Sequence, residues 1–193
     1  MCSSSGCKAD GSAIFAPDEQ VRTFTFEMGV DLVGTPEQAW AHFTGDISPW
    51  WDHTFSPEPE HLILDARVGG SFYEAFDKVG NGAEHAKVIY AERPKMIRMD
   101  GPLGLSGLAV HVIYELRFSE RQGGGSRIDL RVQGMGSVDD KLVETVEAVW
   151  THFLVEQFEP YLRAQVENAG RSSASGAASS PDDAQGDASL SSP

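Results

Sequence analysis

Phe24, Phe26, Met28, Val30 and Leu32 alternate with Thr25, Glu27, Gly29 and Asp31. A period of two places alternate side chains on opposite faces, so residues 23–32 read as a half-buried β-strand. The alternation breaks at Thr35-Pro36-Glu37. An N-cap threonine, a proline at the first helical position and an acid in the first turn predict a helix. It carries Trp40 and Phe43 inward and ends near Thr44-Gly45. A second short helix or turn holds Ile47, Trp50 and Trp51, and a proline-rich loop over 56–60 follows. Residues 62–66, 71–76, 85–92, 96–99, 109–119 and 127–133 then predict six further strands, separated by glycine and proline turns. The last two form a hairpin around Gln122-Gly123-Gly124-Gly125.

Near residue 138 the period changes. Leu142, Val146, Val149, Trp150 and Phe153 recur at helical spacing and predict one long helix over about 138–166. Pro160 falls inside it. A residue with no amide hydrogen, whose ring crowds the preceding turn, predicts a kink or a break there. A helix of about 28 residues is about 42 Å long. A flat sheet of six-residue strands is too short to cover it. The predicted fold class is therefore α+β. A curved antiparallel β-sheet wraps around the long C-terminal helix, with two short helices after the first strand.

The ends of the chain carry no such periodicity. Residues 1–20 are small and polar, and 170–193 are rich in Ser, Ala, Gly, Asp and Pro. Neither segment can bury enough apolar surface to offset ordering entropy, so both are expected to be disordered tails around one domain over 21–169. Both cysteines, Cys2 and Cys7, lie in the first tail, so the domain has no internal disulfide and no cysteine nucleophile. The N-terminal segment has neither a charged start nor an apolar stretch of the secretory kind, and a cytoplasmic location is expected.

Charge narrows the partners. Fifteen Lys+Arg against 29 Asp+Glu leave a formal net charge of -14. Such a chain repels phosphate backbones and anionic lipid surfaces, which argues against nucleic-acid binding. No run of apolar residues approaches the ~18 to 20 of a membrane span, so no membrane insertion is expected.

Several strings, in order, resemble the START-like helix-grip (SRPBCC) superfamily. The branch they match best is the one named after the activator of Hsp90 ATPase. They are Thr35-Pro36-Glu37-Gln38-Ala39-Trp40, then Phe43-Thr44 leading to Ile47 and Trp50-Trp51. Arg67-Val68-Gly69-Gly70-Ser71-Phe72-Tyr73-Glu74, residues 88–94, and Ser126-Arg127-Ile128-Asp129-Leu130 follow. Ser126 stands where most such proteins carry Thr. The resemblance implies a helix-grip fold with a deep cavity between sheet and helix. It implies no single reaction, and it carries over no catalytic set.

Candidate chemistry clusters on that cavity. Glu74 alternates with Phe72 and Phe76, so all three share a strand face. A carboxylate in aromatic surroundings could act as acid, base or ligand anchor, and a charge left there would be costly. Removing that charge is then expected to be neutral or stabilising. Tyr90, Tyr114, Trp150 and Phe153 are expected to line the same space. Trp50 and Trp51 sit where such folds have the mouth of the pocket. One should line it and the other should plug the core. Gln157 falls within the apolar stripe and needs a partner: a ligand, a water or Glu74. His111, in a central strand, is a second candidate for proton transfer. The six histidines show no metal-binding spacing with a third ligand nearby, so neither metal nor cofactor is expected. Residues 101–107, an apolar flexible loop, could gate the cavity.

The leading expectation is a protein that holds a small hydrophobic or amphipathic molecule; a homodimer is compatible with it. The alternatives are a cyclase- or dehydratase-like enzyme using Glu74 with His111, and a chaperone-interacting module.

Overall fold

The computed structural model describes residues 21–177, and side chains to residue 172. The tail expected over 1–20, and 178–193 of the second, lie outside the described residues. Residues 170–177 belong to the last helix.

The chain begins with strand β1 (Arg22–Leu32), helix α1 (Pro36–Phe43) and a two-residue strand β2 (Gly45–Asp46). Strands β3 (His61–Leu64), β4 (Ser71–Ala75), β5 (Gly82–Glu92), β6 (Met96–Asp100), β7 (Val110–Glu120) and β8 (Ser126–Gly136) follow. All eight form one antiparallel sheet in the order β1-β8-β7-β6-β5-β4-β3-β2. A long helix closes the chain: α2 (Asp140–Thr151), a π-helical segment (His152–Phe158) and α3 (Glu159–Ala177). Val146, Trp150, Phe153, Leu154, Phe158 and Leu162 of this helix join Leu62, Phe72, Val112, Tyr114 and Leu130 of the sheet in one core. The α+β helix-grip arrangement expected from the sequence is therefore present.

Local chemistry fixes the element ends. Thr35 Oγ1 accepts from Gln38 N at 3.3 Å, and Gln38 Oε1 accepts from Thr35 N at 2.9 Å, a reciprocal cap on α1. Thr44 ends that helix in extended geometry, with its N–H and its Oγ1 both donating to Trp40 O, at 3.1 and 2.9 Å. Asp139 caps α2 by accepting from Leu142 N at 2.8 Å.

The second short helix after β1 is absent. Its place is taken by β2 and a tight turn in which Ile47 O accepts from both Trp50 N and Trp51 N. A segment this short closes one turn but cannot offset the cost of nucleating a helix. Pro160 does not break the long helix. Residues His152–Phe158 widen instead into π geometry, with Glu159 N donating to Leu154 O. The wider turn carries the helix past the proline ring, which would clash in regular α geometry.

Two irregularities bend the sheet and change which residues face inward. Between β4 and β5, Phe72 pairs with Ala86 and Tyr73 with Glu84, so His85 is skipped in the ladder. His85 and Ala86 are then consecutive and both buried. Between β5 and β6, Val88 pairs with Met99 and Tyr90 with Arg98, so Ile89 is skipped. This second slip turns Tyr90 to the outer face, where Arg98 lies over its ring at 5.5 Å.

Candidate functional site

The turn after β2 sends the two tryptophans apart. Trp50 goes into the core: its Nε1 donates to His42 O at 3.1 Å, and its ring packs on Phe43 and Phe158. Trp51 stacks on Phe153 of the π-helical segment, with ring centres 3.6 Å apart and planes 17° from parallel. Its Nε1 donates to His53 O at 2.8 Å. Trp51 thus lines a cavity, and Trp50 is the plug.

That cavity has a volume of about 550 Å³ and lies between the sheet, the long helix and two loops. Trp51, Tyr114, Val146, Val149, Trp150 and Phe153 form its apolar walls. Leu103 and Leu105, in a single 3₁₀ turn, close one side. Leu103 holds φ +48°, a conformation that costs a non-glycine residue about 1 kcal/mol or more and persists only where surrounding contacts hold it. Its buried side chain, packed into the core, supplies such contacts. Asp52, His53 and Phe55 are exposed residues of the cavity margin.

The polar lining is sparse. Burial raises the Tyr114 phenol well above its usual pKa, so it stays neutral. His85 stacks on Phe55 at 5.4 Å and leans on Phe72 at 4.7 Å. Its Nε2 stands 3.4 Å from Glu74 Oε2 and has no hydrogen-bond partner. Burial pushes the imidazole down, and this outweighs the upward pull of Glu74 and of the Leu103 backbone. His85 is therefore neutral at pH 7, and its contact with Glu74 is not an ion pair.

Glu74 faces inward but does not line the cavity. Its Oε2 accepts from Phe55 N at 2.9 Å and its Oε1 from Ser56 N at 2.7 Å. The carboxylate, with no exposed surface, tethers the loop behind the cavity wall. Phe72 is buried beside it and supports Trp51 edge-on at 4.9 Å. Phe76 lies one residue beyond β4, outside the lining. Tyr90 is on the outer face for the reason given above, and its hydroxyl donates to Glu92 Oε2 at 3.0 Å. His111 is also outside: it pairs across the ladder with exposed Met135 and lies 3.3 Å from Asp100. Tyr114, three residues on, points the opposite way, as a period of two requires. Of the sequence candidates, the structure gathers Trp51, Tyr114, Trp150 and Phe153 around the cavity.

Gln157 finds a partner that the sequence did not suggest. Its Nε2 donates to Asp52 Oδ2 at 3.1 Å. His152 Nε2 lies 2.8 Å from the same oxygen, and His53 Nδ1 lies 2.7 Å from Asp52 Oδ1. Desolvation opposes ionisation of Asp52, but hydrogen bonds from His53 and His152 prevail and hold it below the usual carboxylate value. Glu156 first, and then Asp52, hold His152 above the usual imidazole value. Asp52 and His152 are 100 positions apart. Local spacing could not reveal the cluster; only the adjacency of Asp52 and His53 was visible.

No protein-family model matches the chain, and no curated protein matches its sequence. Solved structures do match it. One is a protein of unknown function from Staphylococcus aureus, SA2116, at TM-score 0.58 and 13% identity, covering 80% of this chain and 99% of that one. An uncharacterised protein of Rhizobium leguminosarum matches at TM-score 0.54 and 15% identity, over 75% and 97%. A Nitrosomonas europaea protein, NE0264, matches at TM-score 0.53 and 16% identity, over 74% and 96%. At these identities the likeness is one of fold. Among the described residues, no helix is long and apolar enough to cross a membrane.

Proposed function

We propose that the protein binds a small, largely apolar molecule in the cavity beneath the long helix. The observation that carries this reading is the cavity itself. About 550 Å³ of space is walled by Trp51, Tyr114, Trp150 and Phe153, with few polar groups. That size and lining are what small-molecule sites show, roughly 300–1,000 Å³ and mostly apolar. The apolar body of the ligand lies against Trp150 and Phe153, and any polar end lies toward Asp52 and His53. Glu74 is committed to the Phe55 and Ser56 amides. Its placement therefore favours a binding site over the acid–base enzyme that the sequence offered as an alternative. Membership of the branch named after the activator of Hsp90 ATPase remains part of this proposal.

The test uses anilinonaphthalene sulfonate, a fluorescent apolar probe, with the full chain and with Val149→Trp, which fills the cavity from the helix. The wild type should bind the probe with quenching of tryptophan fluorescence, and the variant should lose binding while its melting transition is kept. Equal probe binding by both proteins would overturn the reading.

A further inference from the structure

We propose that Asp52, His53 and His152 form a divalent transition-metal site at the margin of the cavity. Each offers one donor atom, and the three donors lie within 4.8 Å of one another. Two imidazoles and one carboxylate are the donor set that suits Zn²⁺ and its first-row neighbours, and not Mg²⁺ or Ca²⁺, which take oxygen ligands. Both imidazole nitrogens already converge on the Asp52 carboxylate: His53 Nδ1 at 2.7 Å from Oδ1, and His152 Nε2 at 2.8 Å from Oδ2. Tetrahedral coordination with bonds of about 2.0–2.1 Å sets donors roughly 3.3 Å apart. Small rotations of three solvent-accessible side chains would open that space.

The surroundings match what an imidazole ligand needs. His152 presents Nε2 to the site because its Nδ1 is held by Glu156 Oε2 at 2.9 Å. A carboxylate on the far nitrogen fixes the ring and strengthens it as a donor, the usual outer partner of a metal-bound histidine. Phe153 braces both rings, with centres 5.0 Å from His53 and 5.7 Å from His152. Trp51 holds the His53 backbone. Three protein ligands leave a coordination position open. Asp52 and His53 also line the cavity, so that position would be shared between solvent and whatever the cavity holds.

The test titrates the chelator-stripped full chain with Zn²⁺ and, for its visible absorption, with Co²⁺. The starting protein carries Cys2→Ser and Cys7→Ser, which removes the thiols as competing ligands. One ion per chain is expected. His152→Ala and Asp52→Asn should each weaken binding by about tenfold or more, and Glu156→Gln by on the order of tenfold with the stoichiometry kept. His111→Ala should change nothing. Val149→Trp should still bind the metal, so failure of the apolar-ligand reading and failure of this one are separately visible. Absence of binding, or equal binding by the His152→Ala protein, would overturn the proposal.

Discussion

Glu74 shows how a single buried carboxylate can do a job its neighbours do not advertise. Flanked by Phe72 and Phe76, it reads as a group stranded in an apolar face. In the structure both its oxygens accept from the backbone of a loop nearly twenty residues away. The expectation that losing its charge would be harmless is thereby reversed. Glu74→Gln replaces one acceptor with a donor facing a backbone N–H, and an unsatisfied buried donor costs about 1–3 kcal/mol. The denaturation midpoint should fall accordingly; an unchanged midpoint would show that the two amide bonds contribute nothing. His85 gives the pH counterpart. Burial lowers its pKa below the usual imidazole value of about 6.5, so the folded state binds fewer protons than the unfolded chain. Stability therefore rises with pH across the interval from the folded pKa up to about 6.5, and is lost as pH falls through it. His85→Phe, which fits between Phe55 and Phe72, should flatten that part of the stability–pH curve. A curve of unchanged shape would remove His85 as its origin.

At the level of elements, the long helix was readable and its geometry was not. The stripe from Leu142 to Phe153 announces a helix, and Pro160 announces trouble, but nothing local says the trouble is resolved by a π-helical segment. That segment has a use. His152 and Gln157 are five residues apart, which on a regular α-helix would set them roughly 140° apart around the axis. The wider turn brings their side chains within 3.4 Å, and both reach Asp52. Pro160→Ala should relieve the cause of the widening. Proline in a helix interior costs up to about 3 kcal/mol relative to alanine. The π turn has already relieved part of that, so a smaller rise in stability is expected, with loss of the Gln157–Asp52 contact. A fall in melting temperature would show that the π segment does not answer to the proline. The strands tell a similar story. Alternation located seven of the eight, missing only two-residue β2. It failed at the two skipped residues, where one extra position inverts the phase. That is why alternation does not single out His85 and sets Tyr90 on the inner face. His111 is a different case: alternation alone sets it opposite Tyr114.

At the scale of the whole molecule, ion pairs gather on the outer face of the sheet. The outer face of the sheet carries Arg98 and Arg117 on Glu115, and Arg127 and Arg121 on Asp31. The exposed pairs on Asp31 contribute little, being screened by solvent. They define a polar exterior more than they hold the fold. Stability rests on the core shared by sheet and helix, and the cavity is space left inside that core. Filling it should therefore be felt globally. A ligand at ~100 times its dissociation constant should stabilise the native state by about 2.7 kcal/mol, read as a shift in the unfolding midpoint. If a probe that occupies the cavity leaves the midpoint unmoved, it binds the unfolded chain as well.

The tether from Glu74 has a kinetic side. Loop amides ordinarily exchange their hydrogens with solvent within moments, because nothing protects them. The amides of Phe55 and Ser56 are bonded to a carboxylate that water cannot reach. They can exchange only when the loop lifts from Glu74, and the same motion would carry Phe55 off His85 and unroof that side of the cavity. The exchange of these two hydrogens thus serves as a clock for the opening of that side of the cavity.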